Sequence, residues 1–181
     1  MAFIMNLPNK LTILRIVLIP VFVACFYLPV SYSKELAAVV FAIAFTTDIL
    51  DGQLARKQNI VTKFGKLMDP IADKLLTFSA FIMLGHIGQV SPIVTIVVMA
   101  RELLVSGFRM VAVEGKTVIA ASMLGKIKTV SQCVAIMFSL LWHLIDWDFP
   151  LDSVLVWISV AITIWSGIDY YVKNAENIDF N

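Results

Sequence analysis

Four aspartates, Asp48, Asp51, Asp69 and Asp73, stand in the stretch DILDGQLARKQNIVTKFGKLMDPIADK, between two long apolar runs. Asp48 and Asp51 are three residues apart and Asp69 and Asp73 four apart. On a helix, either spacing places a pair on one face. An ionised aspartate at the bilayer centre costs roughly 2.5–3.5 kcal/mol on insertion scales, and less near the interface. Four mutually repelling acids add to that cost, so a cation must offset them. Hard divalent ions take oxygen ligands, and Mg²⁺ typically combines a few carboxylates with substrate phosphates. Two such ions about 3.5–4 Å apart serve displacement at phosphorus. The pattern therefore points to metal-assisted phosphate chemistry. Gly52 and Ala55 sit beside the first pair, where small residues admit a close helix or a flat ligand; for either alone, helix packing is the better account. Arg56 reads as a phosphate contact or as a plain interface anchor.

A second set of charges is basic. Arg101 and Glu102 lie near the middle of a later apolar run, Arg109 two turns on, and Lys126 and Lys128 near the start of the next. Buried arginine faces a cavity or an acid. For Arg101 the plain account is a pair with a carboxylate such as Glu102 or one of the aspartates. For Arg109, Lys126 and Lys128 together an anion site is the better account, because arginine forks onto phosphate and lysine adds point charge. The expectation is a cytoplasm-facing cavity with metals on one wall and a phosphate pocket on the other. Asn9, Thr12 and Arg15 recur a turn apart on the first run. From the residues alone they read as a polar cap with a snorkelling arginine.

The elements that carry these residues follow from composition. The chain has 181 residues, 60% hydrophobic and only 15% charged, with a mean hydropathy of +0.89. That excludes an ordinary soluble domain. A spanning helix needs about 20 apolar residues, and six runs qualify: 11–28, 36–56, 67–87, 92–112, 119–142 and 153–172. The expected fold is all-α, a polytopic integral membrane protein of six transmembrane helices in one domain over 1–181. The first run is too long for a cleaved signal peptide. Asn6 and Pro8 suit a helix start. Asp69, Pro70 and Asp73 fall in the first turns of the third run, where a proline costs little.

Lysine and arginine gather at the N-terminus, at 56–66, at Lys116 and at Lys173, whereas the opposite connections hold only Lys34 and several acids. The positive-inside rule then puts both termini in the cytoplasm. Trp142 and Trp147 suit the outer interface. Cys25 and Cys133 lie in apolar runs, and no disulfide is expected. His86 and His143 read as structural. Asp146, Asp148 and Asp152 read as a solvated outer loop, and Asp169 as paired with a base or reaching water.

Asp48, Asp51, Gly52, Ala55, Arg56, Gly65, Asp69 and Asp73 together spell D-x2-D-G-x2-A-R-x8-G-x3-D-x3-D. This resembles the signature of the CDP-alcohol phosphotransferases, with all eight positions present. NLPNKLTILRIVLIP, ARELLVSGFR, LGKIKT and SGIDYY resemble segments of the phosphatidylglycerophosphate synthase branch, so the likeness covers nearly the whole chain. The resemblance implies a six-helix enzyme of the bacterial cytoplasmic membrane, usually a homodimer, using Mg²⁺ or Mn²⁺, as two ions. Its substrates would be CDP-diacylglycerol and glycerol 3-phosphate, with no nucleic-acid partner. It also implies roles. Asp48, Asp51, Asp69 and Asp73 would hold the metals, and Asp73 would be the general base. Asp51, Gly52, Ala55, Arg56 and Gly65 would line the nucleotide site. Arg101, Arg109, Lys126 and Lys128 would take the acceptor phosphate, and Asn9, Thr12 and Arg15 would border the site.

Two rivals stand beside this reading. A sister enzyme with another acceptor, such as inositol phosphate, would share the aspartates. An ion or proton transporter would also carry membrane carboxylates, but internal repeats and interrupted helices are lacking, and the acids cluster at one end.

Overall fold

The structure is a computed structural model describing residues 7–58, 63–114, 122–145 and 147–174; the side chains of 7–9, 48–58, 63–67, 69–70 and 111–114 fall outside the described set. Every element in it is helical. The order is α1 (Leu7–Cys25), α2 (Ser33–Gln58), α3 (Lys63–His86), α4 (Pro92–Glu114), α5 (Met123–Leu141), a 3-10 turn (Trp142–Leu144) and α6 (Leu151–Asn174). The all-α expectation is met. Two segments, Met123–Leu144 and Leu151–Asn174, are long and apolar enough to cross a membrane by composition alone. The other helices carry charges inside their apolar lengths: Arg15 in α1, Asp48 and Asp51 in α2, Asp69 and Asp73 in α3, and Arg101, Glu102 and Arg109 in α4. Large apolar side chains are nevertheless exposed on all six, among them Val17, Val39, Ile82, Ile96, Val130 and Trp165. Such a surface suits lipid and would be a liability in water.

The chain divides into two compact units, Met1–Met83 and Leu84–Asn181. In the first, α1 and α2 form a hairpin. Phe22 of α1 lies against Phe41 of α2 with ring centroids 6.0 Å apart. Fully buried Ala37 and Ala44 flank Phe41 on the same stripe of α2. Small residues at that stripe let the two backbones approach. Phe41→Ala should cost about 3 kcal/mol through the cavity it leaves. A lower thermal midpoint in detergent, with no change in the identity of the lipid product, is the expected result.

In the second unit α5 packs antiparallel to α6, as the short connection requires, and α4 packs on α6. Contacts between α4 and α6 give their sense. Arg101 meets Ser166, and Arg109 lies over Tyr170. Residue numbers rise together, so α4 and α6 run the same way with α5 opposed. Alternate crossing of a bilayer has this geometry.

Local chemistry sets the helix ends. At the end of α3, Gly88 adopts φ +75°, and the Gln89 and Gly88 amides donate to the Leu84 and Gly85 carbonyls. This is a glycine-terminated Schellman cap. At the start of α5 the Ser122 hydroxyl accepts from the Gly125 amide at 3.0 Å, which fixes the register of Lys126 and Lys128.

Three expectations shift. Helix α3 begins at Lys63, four residues before the apolar run, and α2 continues to Gln58. Asp69 and Asp73 therefore lie in its second and third turns. Pro70 is an interior residue that offers no N–H to the Lys66 carbonyl, so the first-turn explanation for it does not hold. Asp152 does not belong to a solvated loop: it is buried in the first turn of α6, where the helix dipole favours an acid. Asp169 pairs with Lys173 at 2.7 Å, one turn away. Both cysteines are free, as expected.

Candidate active site

The aspartates occupy corresponding heights on α2 and α3. Asp51 and Asp48 stand seven and ten positions before Gln58, and Asp69 and Asp73 stand six and ten positions after Lys63. The link between the helices is short, so its covalent reach bounds the separation of their ends at roughly 18 Å. On α2, positions 48, 51, 52 and 55 continue the buried stripe Ala37–Phe41–Ala44. On α3, positions 69 and 73 continue the stripe Ala72–Leu76–Ala80–Met83. Asp73 is half-buried, and its backbone carbonyl accepts from the Thr77 hydroxyl at 3.4 Å. The side chains of Asp48, Asp51, Gly52, Ala55, Arg56, Gly65 and Asp69 lie outside the described set. Among the described side chains no three metal-type ligands gather. As a donor set, four carboxylates fit a hard divalent cation.

Helix α1 brings an arginine to the same level. Seven residues inward from Phe22 is Arg15, and seven inward from Phe41 is position 48. Arg15 is 0% exposed and Thr12 1%. An arginine so enclosed is not snorkelling to water, so that alternative falls for Arg15. A buried guanidinium persists only where acceptors meet it. Asn9, another turn on, has no described side chain.

The basic residues all belong to the second unit, and they separate into two groups. Arg101 Nη1 donates to Glu102 Oε1 at 3.2 Å, and Arg101 Nη2 donates to Ser166 Oγ at 2.8 Å. The Lys128 ammonium donates to the same Glu102 oxygen. Both Glu102 and Lys128 are buried. The plain account of Arg101, a pair with Glu102, is thus present in the structure. Arg109 is exposed, with its guanidinium carbon 6.0 Å from the centroid of the buried Tyr170 ring, within cation–π range. Lys126 is exposed as well. It borders an apolar groove of about 360 Å³ lined by Ile127, Val130, Val134, Leu155 and Ile158. Two residues apart on a helix means about 200° around it, so Lys126 and Lys128 do not share a face. Sequence reasoning missed Ser166 and Gly167 as neighbours of Arg101. No spacing within α4 could have found them, because they arrive from α6.

The family model for CDP-alcohol phosphatidyltransferase matches residues 5–165. The chain belongs to the CDP-alcohol phosphatidyltransferase family. Its match takes in α1 to α5 and the first half of α6, and so includes all four aspartates and the whole Arg101–Glu102–Lys128 cluster. Among curated family members, a protein of Bacillus subtilis (strain 168) is 41% identical, over 94% of this chain and 96% of that protein. One of Rickettsia felis is 41% identical, over 92% and 93%. One of Shigella flexneri serotype 5b is 39% identical, over 91% and 92%. All three are named CDP-diacylglycerol–glycerol-3-phosphate 3-phosphatidyltransferase.

Proposed function

We propose that this protein transfers a phosphatidyl group from CDP-diacylglycerol to sn-glycerol 3-phosphate, giving phosphatidylglycerophosphate and CMP in phospholipid biosynthesis. The observation that carries the reading is identity of about 40% along nine-tenths of the chain to proteins of that name. The complete aspartate signature on α2 and α3 accords with it.

In the reaction, the acceptor hydroxyl oxygen attacks the lipid-side phosphorus. A new P–O bond forms there, the bond to the CMP phosphate breaks, and CMP leaves with the bridging oxygen. Asp73, half-buried on the inward face of α3, takes the hydroxyl proton as general base. Asp48, Asp51 and Asp69, with Asp73, would hold Mg²⁺ or Mn²⁺, as two ions. When bound, the cation neutralises charge developing on the phosphates. Asp51, Gly52, Ala55, Arg56 and Gly65 surround the nucleotide, the two glycines and the alanine leaving room for its rings. Thr12 and Arg15 border this region at the level of position 48, and Asn9 lies a turn further along α1. Arg101, Arg109, Lys126 and Lys128 provide positive charge for the acceptor's phosphate.

The protein is read as a six-span enzyme of the bacterial cytoplasmic membrane. Both termini and the active site face the cytoplasm, the acyl chains stay in lipid, and the enzyme is a homodimer. The common sense of α4 and α6, with α5 opposed, supports alternate crossing. The positive connections support the cytoplasmic side.

The test is CMP release from CDP-diacylglycerol by the purified protein in detergent with Mg²⁺, comparing glycerol 3-phosphate with inositol phosphate. Release with glycerol 3-phosphate alone is expected. Release with inositol phosphate would keep the chemistry and move the acceptor. No release with any alcohol acceptor from folded protein would return the transporter to consideration.

A further inference from the structure

Glu102 is an acid of α4 that the aspartate chemistry leaves unused, and it stands at a junction of three helices. Its Oε1 accepts from Arg101 of α4 and from Lys128 of α5. Ser166 of α6 holds the other terminal nitrogen of Arg101 at 2.8 Å. Gly167 completes the slot. A Cβ there would stand 3.1 Å from Arg101 Cγ, so a side chain at this position would push the arginine stem aside.

The charges do not balance. Among the described residues two cations meet one carboxylate, leaving a surplus of one positive charge in the cluster. A cluster of this kind is a poor device for stability, since apolar residues of similar volume hold helices together as well or better. Its distinctive product is orientation: the surplus charge points where the carboxylate, the serine and the glycine direct it. Donors are left over as well. Arg101 Nε is buried and has no partner among the described residues.

We propose that Glu102 is a positioning residue of the acceptor site. It fixes Arg101 and Lys128 so that their remaining donors receive the phosphate of the acceptor, and it touches neither substrate itself. The inference rests on the reading of glycerol 3-phosphate as acceptor. Without the carboxylate the two cations repel across the vacated place and move apart. The forked approach to phosphate then loses its geometry. In the sequence Glu102 reads only as one carboxylate that could pair with Arg101; the shared oxygen makes it an organiser of two cations.

The experiment measures CMP release in detergent with Mg²⁺, varying each substrate in turn, for wild type, Glu102→Gln and Ser166→Ala. Glu102→Gln should raise KM for glycerol 3-phosphate about thirtyfold, and Ser166→Ala about fivefold, as expected for loss of hydrogen bonds to charged groups. KM for CDP-diacylglycerol should stay within about twofold in both, because the disturbance is confined to acceptor binding. An unchanged or lowered acceptor KM in folded Glu102→Gln overturns the proposal. So does an equal rise for both substrates, or a loss confined to kcat, since these are the marks of a structural brace. If Glu102→Gln fails to fold, the same ratio in Ser166→Ala decides. Wild-type protein that releases no CMP with glycerol 3-phosphate would sink the acceptor reading itself and this inference with it. Normal wild-type turnover with unselective variants would sink the inference alone.

Discussion

Asp73→Asn should lower turnover by roughly three orders of magnitude, within the range that a positioned general base contributes. The substitution keeps the size of the side chain and its place in the third turn of α3. It removes only the capacity to accept a proton. The attacking hydroxyl then keeps its proton as the new bond forms, and the barrier rises. Folding should survive, because the packing face of α3 around this position is carried by Ala72, Leu76 and Ala80. Binding of CDP-diacylglycerol should survive in large part, because three aspartates persist. Single-turnover CMP release, paired with donor binding measured by equilibrium titration, checks both halves. Normal turnover would remove the base assignment. Loss of donor binding along with turnover would make Asp73 chiefly a ligand of the cation.

Chelation has an effect of similar size. Excess EDTA should reduce CMP release by more than about a thousandfold, since the cation would supply most of the charge stabilisation at phosphorus. Added Mg²⁺ or Mn²⁺ should restore it. The physical ground is the aspartate set. Register puts positions 48 and 51 of α2 and 69 and 73 of α3 on faces that continue buried stripes. Carboxylates in such places repel one another and lose hydration, so a divalent cation should bind the folded chain in preference to the unfolded one. A second readout follows that needs no turnover. At a hundred times its dissociation constant the cation should add about 2.7 kcal/mol to stability, seen as a higher thermal midpoint in the absence of substrate. Asp51→Asn should blunt that rise. Equal CMP release with and without chelator would contradict the metal reading.

Much of this was legible in the sequence because lipid imposes a simple rule. Apolar runs of about 20 residues are helices, and all six appear close to where composition put them. The errors have a common cause. Hydropathy finds the apolar part of a helix and misses the polar turns that extend it. Helix α3 starts at Lys63, and its first turn, Lys63–Phe64–Gly65–Lys66, carries a single large apolar residue, too little for hydropathy to find. That shift moved Pro70 from the helix edge to its interior. Asp152 was placed in water because acids cluster around it in sequence, but α6 begins at Leu151 and takes Asp152 into a buried first turn.

The basic cluster was partly legible. Spacing within one helix showed that Arg101 and Arg109 are two turns apart, but Lys126 and Lys128, read together as one anion site, differ in the structure: Lys126 is exposed and Lys128 buried. What no local pattern contains is the meeting of three helices. That Glu102 receives Lys128 from α5, while Ser166 and Gly167 of α6 confine Arg101, depends on tertiary packing. Arg15 teaches the same point from the other unit. As sequence it is a snorkelling arginine or, by resemblance, a border of the site; its complete burial speaks against snorkelling.

The central claim is phosphatidyl transfer to the acceptor hydroxyl, and product identity tests it most directly. Purified protein would be given CDP-diacylglycerol, glycerol 3-phosphate and Mg²⁺, and the lipid and nucleotide products weighed by mass spectrometry. Phosphatidylglycerophosphate and CMP in equal amounts is the predicted result, since attack at the lipid-side phosphorus releases one nucleotide for each lipid formed. Phosphatidic acid with a cytidylylated glycerol phosphate would mean attack at the other phosphorus, and unchanged substrates would mean no transfer at all; either would contradict the account.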